Sequence, residues 1–508
     1  MLAELNLEIQ LAIPPTQSVC GMEIIMILEN IQPEEVFKYF EQICSIPHGS
    51  GNVERISNYC VSFAKEHGLK YRQDEKYNII IWKNASQGYE NAKPVIIQGH
   101  LDMVAVKEDG CDIDMNNQGL DIYIDGDYIK ARGTTLGADD GIAVAYALAI
   151  LADDNIKHPA LEVVFTVDEE VGMLGAAGID LSGLKSNTML NIDSEDEGIF
   201  LAGCAGGARL DIKIPVVKDT ATGYLCEIKL SGLEGGHSGT EIVSQKANAN
   251  VLAGRVLSEL SKETAYELLA VSGGEKDNAI AAFSKIQIVV PENSKDKVKK
   301  VTDELNDVIK KEFEVTDPDI KISAAFTEEK KKYDVLDGNS LDKVILALNI
   351  LPNGVQKMSN DIKGLVQTSL NLGILNTYED SVKLSYLVRS SLGSEKDFLI
   401  EKIKGFVRYI GGEISVSGDY PAWEFKSVSP LRDLFVKCFE KLYEKKPVVE
   451  TIHAGVECGI LAGKINDLDC ISFGPDIFDI HTTKEKLSIS SVERTWKLIL
   501  EVLKQMKL

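Results

Sequence analysis

The hydrophobic positions of the chain fall into two kinds of pattern. From about 34 to 67 apolar residues recur at helical spacing and Gly68 follows as a C-cap, which predicts helix throughout this stretch. Short unbroken apolar runs at 78–82 (NIIIW), 95–99 (VIIQG), 161–167 (LEVVFTV), 188–192 (TMLNI) and 470–474 (CISFG) predict buried strands. LDIYIDGDYIKARG alternates around Asp125-Gly126 and predicts a hairpin. Asp140 opens a long apolar helix, GIAVAYALAILAD. Strands alternating with helices argue for an α/β sheet. Between about 207 and 411 strands such as CEIKLSG and KLSYLVR alternate with charged amphipathic helices such as SKDKVKKVTDELNDVIKKEFE, which suits an open α+β sheet. The expected fold class is therefore α/β. A catalytic domain with a mixed sheet covered by helices would be built from residues 1–206 and 412–508. An inserted α+β lid domain, 207–411, would interrupt it. Residues 1–21, ahead of Met22, read as a disordered extension or as a start placed too early.

Composition narrows the function classes. The 508 residues are 44% hydrophobic, enough for a large core without disulfides. With 54 Lys+Arg against 78 Asp+Glu the net charge is -24, which opposes nucleic acid and anionic membrane surfaces as partners. No apolar run approaches the ~18 residues of a membrane span. Nine scattered cysteines without a C-x-x-C fit a reducing compartment, so a cytoplasmic location is expected.

Four acidic or imidazole clusters follow predicted strands or lie in a late loop: GHLDMV (His100, Asp102), FTVDEEVG (Asp168, Glu169, Glu170), LNIDSED (Asp193) and DIHTT (His481). A fifth, GTTLGADDG (Asp139, Asp140), lies at a helix start. Singly each has a bland reading: a surface pair, a solvated loop, a helix N-cap, a packed histidine. Jointly they matter, because open α/β sheets place ligands beyond the carboxyl ends of their strands. Two histidines and three carboxylates suffice for two zinc ions if one carboxylate bridges, and ions about 3.5–4 Å apart can share a hydroxide. The Glu169-Glu170 pair offers one ligand and one base.

His100-x-Asp102, the run Thr134 to Gly141 (TTLGADDG), Asp168-Glu169-Glu170, Asp193 and His481 together resemble the signature of the di-zinc exopeptidases related to carboxypeptidase G and aminoacylase. With EGGHSG (234–239) and HAGVECG (453–459) added, the sequence is most similar to the aminoacyl-histidine dipeptidase branch of that family, over roughly residues 30 to 500. The resemblance implies a zinc-exopeptidase fold and a metallodipeptidase acting on short peptides of Xaa-His type. It implies two divalent ions, zinc first, with cobalt or manganese as substitutes. Asp139 would bridge them, His100 and Asp193 would complete one site, and Glu170 and His481 the other. Asp102 would fix the tautomer of His100. Glu169 would be the general base for attack by a metal-held hydroxide. The Asp139–Asp140 peptide would be cis.

The same resemblance gives His237 an oxyanion-stabilising role and places Asn278, Arg389, His453 and Gly455 with the substrate, the arginine on its carboxylate. Its large insert suits delivery of His237 within one chain, and the protein is expected to be a monomer or homodimer. The branch often carries a basic segment after the asparagine; Asn278 is instead followed by Ala279-Ile280-Ala281-Ala282-Phe283, which puts strict histidine preference in question. A tripeptidase or an N-acyl amino acid deacylase would share the fold and differ in pocket shape. A non-catalytic scaffold would lack a ligand or the base, and none is missing. Cys44, Cys204 and Cys458 have no partner histidine nearby in sequence and read as packed residues.

Overall fold

The computed structural model describes residues 26–507; the expectation for 1–21 lies outside them. An eight-stranded sheet forms the first layer, in the order Lys70–Gln73, Ile79–Lys83, Leu161–Thr166, Val95–His100, Thr188–Asn191, Asp469–Ser472, Ile199–Cys204, Val448–Ile452. Its four middle strands are parallel, and their apolar runs are buried on both faces, as crossover helices require. Register aligns their ends: His100 pairs with Thr166 and Gln98 with Asn191. The residues just past the carboxyl ends of these strands are therefore neighbours.

The apolar helix runs Ala138–Ala152 and packs between the Val95–His100 strand and the helix Glu34–Cys44. It has no charged residue after Asp140, so every face can be buried. Gly99 and Gly141 permit the close approach: a Cβ on Gly99 would lie 2.6 Å from Asp140 Oδ2, and one on Gly141 would touch Phe40 and Ile43. The expected single helical stretch 34–67 is two helices, Glu34–Cys44 and Glu54–Glu66. The sequence between them, SIPHGSGNV, breaks the ladder because Pro47 has no N–H and Gly51 takes φ 78°. Gly68 does end the second helix at φ 62°. In the hairpin Asp125 pairs with Tyr128, so the turn residues are Gly126 and Asp127, one position later than Asp125-Gly126.

A second, ten-stranded sheet takes its strands from Gly206–Pro215 through Glu413–Tyr420, and all its pairings are antiparallel. Helices Ala249–Glu263, Lys295–Glu312, Gly338–Ile350 and Gly393–Tyr409 share one apolar core with it. A small sheet pairs Ile477–Phe478 with Lys486–Ser488, and the latter with the hairpin Ile122–Asp125/Tyr128–Ala131. This places the loop bearing His481 beside the chain that leads into Asp139.

Candidate active site and metal centre

His100 ends its strand, Glu169 and Glu170 follow the Leu161–Thr166 strand, and Asp193 follows the Thr188–Asn191 strand. Asp139 enters from the start of the apolar helix, where Gly137 has φ 68° and neither Asp139 nor Asp140 is helical. Neither aspartate caps the helix; the Asp139–Asp140 peptide is cis, as expected. The five expected ligand residues converge. His100 Nε2 is 3.2 Å from Asp139 Oδ1 and 3.6 Å from Asp193 Oδ1. His481 Nε2 is 3.2 Å from Asp139 Oδ2 and 2.9 Å from Glu170 Oε1. Donor atoms lie within 4.8 Å of one another in His100/Glu169/Glu170 and in two groups that contain Asp139, His100/Asp139/Asp193 and Asp139/Glu170/His481. Asp139 belongs to both, one oxygen to each.

The charge balance shows what such a site would hold. Among the described residues no lysine or arginine pairs with Asp139, Asp140, Glu169, Glu170 or Asp193; their ion-pair partners are His100 and His481 alone. Burial opposes a charged His100, yet hydrogen bonds to Asp139 and Asp193 leave its proton affinity well above the usual range. Hydrogen bonds to Asp139 and Glu170 raise His481 to about 10. Burial pushes up Asp140, Asp193 and Glu170. A carboxylate cluster this short of positive charge fits divalent cations, and imidazole and carboxylate are donors that such cations, zinc included, accept.

Asp102 is placed differently from the expectation. The Nδ1 of His100 is held by the backbone carbonyl of Asp102 at 2.9 Å, while the carboxylate stands 3.6 Å away. That carboxylate accepts instead from Ser50 Oγ at 2.8 Å and from the backbone N–H groups of Glu169 at 3.0 Å and Glu170 at 3.4 Å. It thus orients the turn that carries Glu169 and Glu170. The side chain of Glu169 has no hydrogen-bond partner among the described residues, and burial pushes its carboxyl up to about 9.

The remaining expected residues form a second cluster. His237 pairs with Ala279, and the N–H of Ser238 donates to the Asn278 carbonyl at 2.8 Å. The Nδ1 of His237 accepts from the N–H groups of Gly239 at 3.3 Å and Thr240 at 3.2 Å, which leaves the ring proton on Nε2. Burial, then the Arg389 guanidinium, holds this ring below its ordinary proton affinity. Arg389 is 6% exposed, its Nη1 donates to Tyr420 Oη at 3.0 Å, and its Nε has no partner. His453 Nε2 lies 2.7 Å from Ser369 Oγ, and Ser369 is opposite Arg389 in the sheet. Gly455 has no room for a side chain: a Cβ would lie 2.6 Å from the Tyr420 ring.

Residues 96–505 match the sequence pattern of Peptidase family M20/M25/M40. The chain belongs to this family. This M20 peptidase is 36% identical over 480 residues to the cytosol non-specific dipeptidase of Escherichia coli K12, covering 94% of the chain and 99% of that relative. The crystal structure of the aminoacylhistidine dipeptidase of Vibrio alginolyticus superimposes on it with TM-score 0.87 and 36% identity, covering 94% of this chain and 97% of that one. The aminopeptidase PepT of Bacillus cereus, at 15% identity and TM-score 0.55, shares the fold over 94% of this chain and 99% of its own. The fold expected from sequence is thus that of the M20 peptidases.

Sequence reasoning missed several residues of the site. Ser50 sits in the break between two helices that was read as continuous helix. Ser369 and Tyr420 reach Arg389 and His453 only through strand pairing. Glu457, fully buried, accepts from Gln98 Nε2 at 2.7 Å and Thr166 Oγ1 at 2.6 Å, behind the strands that carry His100 and Glu169. Its motif HAGVECG was visible; nothing in that motif signals its partners. Cys44, Cys204 and Cys458 are buried and free, as packed residues should be.

Proposed function

We propose that this peptidase is a dinuclear metallodipeptidase that releases the N-terminal residue of short peptides, Xaa-His dipeptides among them. The observation that carries the reading is the division of Asp139 between two three-donor groups, with the unengaged carboxyl of Glu169 beside them. His100, Asp139 and Asp193 would hold one ion and Asp139, Glu170 and His481 the other. Two divalent ions, zinc in first place and cobalt or manganese as substitutes, would polarise the scissile carbonyl and the attacking water. Glu169 takes the proton from that water and passes it to the leaving amine, its carboxyl having no hydrogen-bond partner among the described residues to hold it back. Asp102 holds the Glu169-Glu170 turn through its backbone N–H groups. His237 donates its Nε2 proton to the oxyanion. Arg389, held by Tyr420, takes the substrate carboxylate, with Asn278, His453 and Gly455 shaping the space around it.

The two dipeptidases named above support the substrate class. The eight cysteines among the described residues are free, which supports a reducing, cytoplasmic setting, and no helix among those residues is long and apolar enough to cross a membrane. The dinuclear reading is tested by metal analysis and by chelation. The purified protein should carry two divalent ions, lose dipeptide hydrolysis on their removal and regain it with Zn²⁺, Mn²⁺ or Co²⁺. Undiminished hydrolysis after complete removal would refute it. A panel of β-Ala-His, Ala-His, Leu-Leu, Ala-Ala-Ala and N-acetyl amino acids then separates a dipeptidase from a tripeptidase or a deacylase.

A further inference from the structure

Glu485 takes no part in the chemistry above. It follows His481 by four residues, where the loop returns to the Lys486–Ser488 strand, and it is 4% exposed. Its carboxylate is wrapped by backbone: Oε2 accepts from the N–H groups of Leu136 at 2.8 Å and Gly137 at 3.1 Å, and Oε1 from Ala138 at 2.8 Å. These three residues immediately precede Asp139. Their N–H groups converge because Gly137 has φ 68°, and a Cβ at that position would lie 2.7 Å from Met103 Sδ. Successive N–H groups turned inward make an anion-binding nest. Here the anion is a side chain from the other end of the protein. Burying a carboxylate is costly unless it is fully hydrogen-bonded, and an apolar side chain could not hold three N–H groups in place. One side chain therefore fixes the turn that presents Asp139 and anchors the loop that presents His481.

We infer that Glu485 is a positioning residue of the metal centre: by clamping Leu136, Gly137 and Ala138 it sets Asp139 against His481, so that the two donor groups share a carboxylate. This rests on the dinuclear reading above. In Glu485→Gln the side chain keeps its size, but one oxygen becomes an NH₂ that cannot accept, so the clamp loses at least one of its three bonds. Zinc affinity of the purified protein is measured by competition with a chromophoric chelator, and the folded state by circular dichroism and melting in excess chelator. Glu485→Gln should bind zinc about 10- to 100-fold more weakly, the usual effect of losing a residue that orients a ligand. Glu485→Asp, which keeps the charge on a shorter arm, should lie between. Saturating zinc should restore much of the lost turnover. Affinity within twofold of the wild type in a folded variant overturns the inference. If Glu485→Gln does not fold, Glu485→Asp carries the test. If neither folds in chelator, the residue is a determinant of the fold and the inference is likewise overturned. A wild-type protein that binds no zinc would instead refute the dinuclear reading.

Discussion

At the scale of single residues, two adjacent glutamates do different work because their surroundings differ. Glu170 is tied to His481 at 2.9 Å. Glu169 is half-buried with no side-chain partner among the described residues, and desolvation raises it to about 9, with His100 pulling the other way. In the proposed reaction the carboxyl without a fixed hydrogen bond is the one that moves the proton. Glu169→Gln should therefore keep both ions by metal analysis and lose turnover by about 10²–10⁴-fold, the usual share of general acid–base catalysis. A variant that turns over normally would remove Glu169 from the mechanism. Arg389 has its Nη1 held by Tyr420 and its Nε unpaired. If its fork takes the substrate carboxylate, Arg389→Ala should raise KM by about 10- to 150-fold, the equivalent of a charge-assisted bond of ~1.5–3 kcal/mol, with a smaller effect on kcat. Tyr420→Phe, which loses only the hydroxyl that steadies the guanidinium, should raise KM by a lesser factor. Steady-state kinetics on one dipeptide separates these outcomes, and an unchanged KM in Arg389→Ala would assign the carboxylate to another residue.

At the scale of elements, what could be read in the sequence is what short-range pattern decides. The Val95–His100, Leu161–Thr166 and Thr188–Asn191 strands are unbroken apolar runs, and such runs belong in the middle of a parallel sheet. Once they are placed there, His100, Glu169, Glu170 and Asp193 must gather at one end. The break at Pro47 and Gly51 escaped because apolar residues recur at helical spacing on both sides of it. The partners of Arg389 were invisible for another reason. Tyr420 reaches it across the pairing of Glu413–Tyr420 with Gly206–Pro215, and Ser369 across the pairing of Val366–Thr377 with Ser381–Ser390. Register of that kind is set by the whole sheet. The contact of Ser369 with His453 ties the second sheet to the loop after Val448–Ile452, and it has a pH signature. Burial, then Arg389, pushes His453 down to about 3. Below its unfolded value of 6.5 the unfolded chain binds the proton more readily, so stability rises with pH between about 3 and 6.5. The stability is present above pH 6.5 and is lost as pH falls toward 3, by on the order of 5 kcal/mol. His453→Gln should flatten this limb of the acid unfolding curve, measured with metal content held constant. An equally steep limb in the variant would assign the acid sensitivity elsewhere.

At the scale of the whole molecule, the question is whether one chain contains everything the reaction needs. The candidate metal cluster lies at the end of the first sheet, and His237 lies in a separate two-stranded ribbon, Gly236–His237 paired with Ala279–Ile280. The first and second sheets are joined within the chain at several points. Ala205 N–H donates to the carbonyls of Ile452 and Ala454 at 3.1 Å, Cys204 N–H to that of Trp423 at 2.9 Å, and Ser369 meets His453 at 2.7 Å. The His237 turn itself abuts the first sheet's loop: a Cβ on Gly239 would lie 2.7 Å from the His453 carbonyl and 2.9 Å from His237 Cε1. No side chain but hydrogen fits at Gly239, so the turn can settle directly on that loop. These contacts seat the His237 turn against the loop after Val448–Ile452 of its own chain, and the question becomes which chain's candidate metal site that histidine serves. Mixing two inactive variants decides it. Glu169→Gln lacks the proposed base but keeps His237; His237→Ala lacks the proposed oxyanion donor but keeps Glu169. If the histidine acts within its own chain, neither variant can complete the other, and the mixture should stay as inactive as its components after co-denaturation and refolding. If the histidine crosses to a partner subunit, mixed dimers would contain one site with both groups, and activity would return.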